Sequence, residues 1–465
     1  MTSMLNNSVL DIPEQLIRRF DKLGPRYTSY PTADRFHADF KAADYISYLQ
    51  ERSAQVEKKP LSLYIHIPFC ASLCYYCACN KVITKDHGRS AKYLDYLEKE
   101  LSLVLAHLKK RETLSQLHLG GGTPTFLSHD EIRRLMNLLR EHFDFAPDAE
   151  ISIEIDPRTV DDATLALLQD VGFNRTSLGV QDFDPDVQKA VHRIQDFEMV
   201  KRTIEQSRAH GFSSINFDLI YGLPKQNLSS FTRTLDQVIE LSPDRIALYN
   251  YAHLPERFKP QRRIAEADLP TAEQRLEIFF MSLRRLIEAG YVYIGLDHFA
   301  KPDDGLAKAM DDGSLHRNFQ GYTTRAECDL IALGLSAIGK LGKSYVQNLR
   351  TLDEYYAAID QQQLPVEKGI HLSDEDVLRR QIILDLMCSN GIDFAALGNL
   401  SGRDLSAHFA SEIASLRQYE EHGLLKVTDH NISVLPKGRF FVRAFGMVFD
   451  AFLQQQTTAR YSKLI

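Results

Sequence analysis

Apolar and polar residues before position 300 follow two alternating periods. Short apolar or β-branched runs fall at Leu61 to Ile67, Leu117 to Leu119, Ile151 to Ile155, Arg175 to Val180, Ile215 to Tyr221 and Arg245 to Tyr251. Runs of this length and composition predict strands. Between them, helical spacing covers Tyr93 to Leu108, Asp130 to His142, Asp161 to Val171, Phe197 to His210 and Leu228 to Leu241, and Ala272 to Ala289 follows the last run. Several of these stretches open on Ser or Asp, whose side chains can accept a free N–H of the first turn. Strands joined by helices must run parallel, so the six runs predict one parallel α/β sheet, either closed as a barrel or left open. In both cases the loops at the C-terminal strand ends meet on one side.

Toward the C-terminus the pattern changes. From about Glu367 the spacing turns helical, through Asp374 to Met387 and Phe394 to His422. Leu424 to Thr428 and Ile432 to Leu435 then read as a small hairpin. Pro436 suits a first helical turn and opens a last helix reaching Phe452. Residues 366–465 therefore predict a helix-rich domain of winged-helix-like outline, read as a lid or cap ahead of a DNA-binding module. Residues 56–365 form the barrel and its extension. Residues 1–55, with the turn-rich Gly24-Pro25-Arg26-Tyr27-Thr28-Ser29-Tyr30-Pro31, are expected to cover the barrel mouth.

Composition narrows the class. A chain of 465 residues, 44% apolar, with a formal charge of -7, can bury a large core and has no general attraction for nucleic acid or anionic membranes. No basic, apolar leader and no long apolar span occurs. A cytoplasmic location follows as the expectation, and there free thiols persist.

Four of the six cysteines, Cys70, Cys74, Cys77 and Cys79, lie within ten residues directly after the first strand. Such spacing turns several thiolates toward one point, which suits a metal cluster better than a disulfide. A structural zinc site wants a second pair of ligands, whereas Cys328 and Cys388 stand alone and read as core thiols. Three ligands from Cys70, Cys74 and Cys77 would leave one iron of a four-iron cluster open. Other polar groups end the later strands: Gly120-Gly121-Gly122-Thr123-Pro124, Glu154-Ile155-Asp156-Pro157, Gln181-Asp182, Asp218, and Asn250-Tyr251-Ala252-His253. One active site at the strand ends is the economical reading.

Cys-x-x-x-Cys-x-x-Cys after a first barrel strand resembles the radical S-adenosylmethionine (SAM) signature. Further segments resemble the bacterial oxygen-independent coproporphyrinogen III oxidases: Tyr64 to Cys70 with Cys79-Asn80-Lys81, Gly120 to Pro124, Ile153 to Pro157, Gly179 to Phe183, Asp218 to Pro224, Asn250 to Pro255, Asp297-His298-Phe299 and His316 to Thr324. The likeness runs from Arg26 to the C-terminus.

This resemblance implies a partial (β/α)6 radical SAM barrel holding one [4Fe-4S] cluster and two SAM molecules. It implies coproporphyrinogen III as substrate, decarboxylated at two propionates to protoporphyrinogen IX through a 5′-deoxyadenosyl radical. It also implies an electron donor such as flavodoxin or ferredoxin, and a monomer. Cys70, Cys74 and Cys77 would hold the cluster. Tyr64, Gly121, Gly122, Thr123, Glu154 and the apolar Ile338 would meet the first SAM, with Tyr76 stacking on adenine. Gln181, Arg193, Asp218 and Ala252 would meet the second. In that assignment the glycines let backbone N–H groups reach a carboxylate, and Glu154 accepts from an ammonium or ribose hydroxyl. Read without the resemblance, the glycine run is equally a tight turn, Glu154 a solvated strand end, and Arg193 with Asp218 a surface ion pair.

Tyr64 and His66 share a strand face and are candidate catalytic groups. Cys79 is either a proton or electron relay on the substrate side or a buried thiol, and the mechanistic role is favoured. Arg26 and Lys81 are candidate cations for the substrate carboxylates. A haem-trafficking relative and a zinc-dependent nucleic-acid module are the rivals; Cys79, the lack of Trp and the acidic balance weigh against them.

Overall fold

The computed structural model describes residues 12–453 apart from 21, 326–327, 390 and 429, so the outer parts of the expected terminal segments, 1–11 and 454–465, lie outside the described residues. The chain divides into two compact units whose segments alternate along the sequence. One comprises Phe36–Phe279 and Glu327–His371; the other comprises Met1–Arg35, Phe280–Ala326 and Leu372–Ile465.

The larger unit is built on a sheet. Its strands are β1 (Leu61–Ile67), β2 (Glu112–Gly121), β3 (Phe143–Ile155), β4 (Arg175–Gln181), β5 (Ser214–Tyr221), β6 (Arg245–Asn250), β7 (Asp329–Leu333), β8 (Ile338–Leu341), β9 (Ser344–Asn348) and β10 (Val366–His371). They lie in the order β10-β9-β8-β7-β1-β2-β3-β4-β5-β6. All six expected strands are present and parallel. A seventh, β7, pairs parallel with the free side of β1, and β8 to β10 continue as an antiparallel meander. These last four were not foreseen from the sequence: each is short, and the Val366–His371 stretch expected to begin a helical domain is a strand of this sheet.

Register divides the strand residues cleanly. Leu63, Ile65, Leu117, Leu119, Ile151, Ile153, Leu178, Val180, Phe217 and Leu219 are buried on one face. The alternate positions, Ser62, Tyr64 and His66 on β1, Gln116 and His118 on β2, Glu150, Ser152 and Glu154 on β3, Arg175 and Ser177 on β4, and Asn216 and Asp218 on β5, are polar and share the other. The sheet curls around that polar face, since Asp218 on β5 feels the charges of Glu154 and His118, two and three strands away. The result is a partial barrel with a hydrogen-bonded polar lumen and an apolar outer wall.

Helices α1 (Gly88–Leu105), α2 (His129–His142), α3 (Asp162–Asp170), α4 (Phe197–Ala209), α5 (Leu228–Leu241) and α6 (Leu352–Asp360) accompany the strands. The expected caps form. Ser128 and Glu131 make a reciprocal capping box on α2, and Asp161, Asp196 and Asn227 accept N–H groups of Thr164, Met199 and Ser230 on α3, α4 and α5. On α2 the buried set Ile132, Leu135, Met136 and Leu139 follows the three-and-four spacing of one helix face.

In the second unit, Asp374–Cys388, Phe394–Ser401, Leu405–His408 and Ala410–Glu420 are helices. Gly391–Asp393, Asn431–Val434 and Leu425–Val427 form a three-stranded antiparallel sheet in that order. The expected hairpin is present, with a third strand added. The helical stretch expected over Phe394 to His422 is divided into three helices, because Gly402 takes a left-handed conformation at φ +67° and Asp404 caps a new turn. Pro436 opens a 3₁₀ turn, Pro436–Phe441, that continues as a helix only to Val448. Tyr27 donates to Asp450 at 2.9 Å and Arg443 to the Pro25 carbonyl at 2.9 Å, joining the first and last stretches of this unit. Cys388 is buried as expected, whereas Cys328 is only half-buried.

Two buried charge clusters support the barrel base. Arg52, in the helix Ala42–Ala54, donates to Asp329 at 2.5 Å and Glu112 at 3.0 Å, with all three side chains no more than 5% exposed. Removing Arg52 leaves the buried Asp329 carboxylate without its cation, while Glu112 keeps Lys58 Nζ at 2.5 Å, so Arg52→Met should lower unfolding free energy by about 3 kcal/mol in urea titration. Inside the lumen, burial raises the Glu150 carboxyl, but Arg175 at 2.9 Å, Arg245 and Gln116 outweigh it and bring it to about 2. A depressed acid stabilises the fold above its ordinary pKa and loses that contribution as pH falls through the folded value. Glu150→Gln should therefore flatten the loss of stability between about pH 4.5 and 2, read by chemical denaturation at each pH.

Candidate active site

The cysteine loop is closed at its base by backbone. Phe69–Cys70 pairs parallel with Val82–Ile83, Val82 N–H donating to the Pro68 carbonyl at 2.7 Å and Thr84 N–H to the Cys70 carbonyl at 3.0 Å. Within the loop, Cys77 N–H turns back to the Cys74 carbonyl at 3.2 Å, and Tyr75 N–H reaches the Val191 carbonyl at 2.9 Å. The Tyr75 ring stacks on His192 at 5.1 Å, and Tyr76 packs with Tyr75 against Val187, Val191, Leu223, Tyr251 and Ile264. Cys74 is buried, Cys70 and Cys77 are half-buried, and Cys79 is exposed. Although Cys79 is exposed as a residue, its thiol is turned toward Cys77. Lys81 donates to the Cys77 and Cys79 carbonyls at 3.1 and 3.2 Å, so it braces the loop.

Donors are aimed at the sulfurs. Thr123 Oγ1 lies 3.4 Å from Cys70 Sγ, and Arg193 Nη1 and Arg158 Nη2 lie 3.6 and 3.7 Å from Cys74 Sγ. Burial pushes the Cys70 thiol up to about 11, whereas the hydrogen bond from Cys79, against burial and with help from Lys81, brings Cys77 down to about 6. Three thiols from one loop with cationic donors behind them fit an iron–sulfur cluster, whose irons take one thiolate each. Among the described residues no three His, Cys, Asp or Glu side chains are arranged to grip a single ion.

Asp156 sits between the two guanidinium groups, 3.0 Å from Arg193 Nη1 and 2.7 Å from Arg158 Nη2. Burial raises its carboxyl, but the two cations hold it below the ordinary range. Arg193 also donates to the Gly179 carbonyl at 2.6 Å. Its partners are thus Asp156, Gly179 and Cys74, not Asp218, and the plain surface ion pair does not form. Asp156 and Arg158 went unassigned in the sequence, although Asp156 continues the period-two face of Glu154.

The glycine run serves close approach. A Cβ on Gly122 would lie 2.7 Å from the Pro68 backbone, and one on Gly121, at φ +118°, 2.7 Å from the His66 ring. Gly121 N–H donates to Glu154 Oε2 at 3.1 Å and Gly122 N–H to the Ile67 carbonyl at 2.8 Å. Both N–H groups expected to face a ligand are therefore used within the protein, and what the glycines supply is room.

Glu154 also accepts from His118 Nε2 at 3.3 Å, and its side chain remains 43% exposed. Burial works against its charge, but His118 and the Gly121 N–H hold the carboxyl below its usual range, an ionised acceptor at the mouth. The Tyr64 ring stacks on His118, and its hydroxyl pairs with His66 Nδ1 at 3.1 Å. His66 Nε2 faces the Asn80 carbonyl at 3.0 Å. A carbonyl can only accept, so Nε2 carries the proton and Nδ1 receives the tyrosine O–H; burial lowers the imidazole pKa and keeps it neutral.

Asp218 accepts from Ser177 at 2.9 Å and Asn216 at 3.0 Å; burial and the neighbouring Glu154 charge push its carboxyl up to about 6. Gln181 ends β4 at a register shift with φ +66°. Ala252 follows β6, its carbonyl taking Gln261 Nε2 at 3.2 Å, and Ile338 opens β8 half-buried at the same end of the sheet. In the other unit Arg26 pairs with Asp297 at 2.9 Å.

Comparison with known proteins agrees with this geometry. The sequence pattern of the radical SAM superfamily matches residues 64–238, and that of the HemN C-terminal domain matches residues 372–441. The oxygen-independent coproporphyrinogen III oxidase of Pseudomonas aeruginosa is 49% identical over 452 residues, covering 97% of this chain and 98% of that one. That of Salmonella typhimurium is 45% identical over 462 residues, covering 99% and 100%. The solved structure of coproporphyrinogen III oxidase (HemN) from Escherichia coli, described as a radical SAM enzyme, superposes with a TM-score of 0.90 at 43% identity, covering 96% of this chain and all of that one. A polar-lumened partial barrel, a three-cysteine loop at its mouth and full-length relatives of one kind lead to one conclusion: the chain belongs to the oxygen-independent coproporphyrinogen III oxidase family of the radical SAM superfamily.

Proposed function

We propose that the chain oxidatively decarboxylates two propionates of coproporphyrinogen III to vinyl groups, giving protoporphyrinogen IX without oxygen in haem biosynthesis. The observation that carries this reading is the loop of Cys70, Cys74 and Cys77 set against Glu154 and the glycine run at the mouth of a polar lumen, in a chain whose full-length relatives bear that enzyme's name. When bound, a reduced [4Fe-4S] cluster and SAM supply the 5′-deoxyadenosyl radical that removes a propionate β-hydrogen.

The chain's own groups have distinct tasks. Cys70, Cys74 and Cys77 ligate three irons, and Thr123, Arg158 and Arg193 stabilise the thiolates by hydrogen bonding. Glu154, ionised and half-exposed, would accept from the ammonium or ribose hydroxyls of a first SAM, with Tyr64, Ile338 and Tyr76 as its apolar and aromatic neighbours. Gln181, Asp218 and Ala252 meet a second SAM, and Arg193 contributes through the Asp156 cluster that it already joins. Neutral His66 holds the Tyr64 hydroxyl in place. Cys79, exposed beside the cluster loop, faces the substrate side and passes a proton or electron. A small reduced flavodoxin- or ferredoxin-like protein supplies electrons to a cytoplasmic monomer.

Anaerobic reconstitution with iron and sulfide, then reductant, SAM and coproporphyrinogen III, should yield 5′-deoxyadenosine, methionine and protoporphyrinogen IX; a cluster-replete protein that leaves the propionates intact refutes the proposal. Cys79→Ser should keep its iron, sulfide and SAM cleavage while losing decarboxylation, and full activity would remove Cys79 from the mechanism. Glu154→Gln should keep the cluster absorbance but weaken SAM binding at least tenfold by equilibrium dialysis.

A further inference from the structure

Glu100 lies in the apolar face of α1, among Tyr93, Leu97, Leu101 and Val104, and is 2% exposed. Burying a carboxylate there is costly unless its oxygens are satisfied. Three donors converge on it: Gly334 N–H at 2.8 Å and Tyr355 O–H at 2.6 Å on Oε2, and Asn348 Nδ2 at 2.6 Å on Oε1. Asn348 Nδ2 also donates to the Gly334 carbonyl at 3.0 Å, so Gly334 is held through both its backbone groups.

Gly334 is the first residue after β7, at φ +95°, and a Cβ there would lie 2.4 Å from Tyr93 Oη and 2.7 Å from the His66 carbonyl oxygen. Tyr93 completes the clasp. Its hydroxyl donates to the His66 carbonyl at 2.8 Å and accepts Leu335 N–H at 2.8 Å, while its ring stacks on Tyr355 at 5.8 Å. The C-terminal ends of β1 and β7 are thereby tied to each other and to one carboxylate. From β1 project Tyr64 and His66; from the tied turn the chain enters Ile338.

We infer that Glu100 is a positioning residue for the SAM-facing mouth, acting through Gly334 and Tyr93 to hold the Tyr64–His66 end of β1 against the 334–338 turn. It touches neither cofactor nor substrate. The inference rests on the reading of this mouth as the SAM site given under the proposed function, but the clasp itself can be read without any cofactor.

Glu100→Gln keeps the shape and replaces one acceptor by an amide donor facing groups that already donate. In the full chain, hydrogen–deuterium exchange of peptides covering 64–67 and 334–338 should quicken at least fivefold, with other strands unchanged. After reconstitution, iron and sulfide content and the electron paramagnetic resonance (EPR) signal of the reduced cluster without SAM should match the parent, while the dissociation constant for SAM rises at least fivefold and the SAM-induced change in that signal shrinks. Leu165→Ala, in α3 on another side of the barrel, is the stability control: it should lower the melting temperature without altering SAM binding. Unchanged exchange and SAM binding in Glu100→Gln, or equal weakening of SAM binding in Leu165→Ala, overturns the inference. Should Glu100→Gln fail to fold, Tyr355→Phe, which removes one O–H from the same carboxylate, carries the same measurements and the same criteria. A parent protein that binds no SAM defeats the proposed function, whereas normal SAM binding by the parent and both clasp variants defeats only the role of Glu100.

Discussion

The rest of the larger unit depends on one constraint, the alternation of side chains across the parallel strands. Because successive residues face opposite ways, a strand such as Leu61–Ile67 gives Leu63, Ile65 and Ile67 to the apolar wall and Ser62, Tyr64 and His66 to the lumen. A lumen lined this way cannot be filled by hydrophobic packing alone. Its polar groups must satisfy one another, and they do so in tiers: Ser62 to Gln116 to Glu150 near the strand starts, then His118 with Ser152 and Ser177 with Asn216. At the mouth Glu154 and Asp218 lie near each other, and burial together with the Glu154 charge raises the Asp218 carboxyl. The site is the top tier of the network that holds the barrel together.

How much of this is legible in the sequence differs by element. The six parallel strands and their helices carry strong periodic patterns and clear caps, as at Ser128 and Asp196, and all are present, although β2 and β3 begin five and eight residues before the apolar runs that mark them. Strands β7 to β10 are only four to six residues long, and their identity is set by pairing with β1 and with each other, a tertiary fact with no local signature. The interleaved units are hidden for the same reason. Nothing local in Gly24 or Pro25 announces that their carbonyls will receive Arg443.

Among the site residues, identity was legible and geometry was not. Cysteine spacing, the glycine run and the strand-end acids all stand out in the chain, and the structure brings Cys70, Thr123, Gly121, Glu154, Tyr64 and His66 to one mouth. What could not be read was which groups already have partners. The N–H groups of Gly121 and Gly122 are occupied, Arg193 belongs to Asp156, and Lys81 and Arg26 are engaged by loop carbonyls and by Asp297. Hydrogen-bond saturation is a property of three-dimensional neighbours. Asp156 and Arg158 were missed because a carboxylate beside a proline and an arginine looks ordinary until two guanidinium groups are seen to share it.

The closure of the cysteine loop has a different kind of consequence. Its base is held by main-chain bonds of Val82 and Thr84 and its flank by the Tyr75 N–H, none of which uses a thiol. Scaffold and ligands are thus separate sets of atoms, and the sulfurs hang from a socket whose outline is drawn by backbone. In such a socket the backbone outline does not depend on which groups hang from it. The same loop could be refitted with other donor side chains, by natural drift or by an engineer seeking a different metal, without redrawing the barrel beneath it.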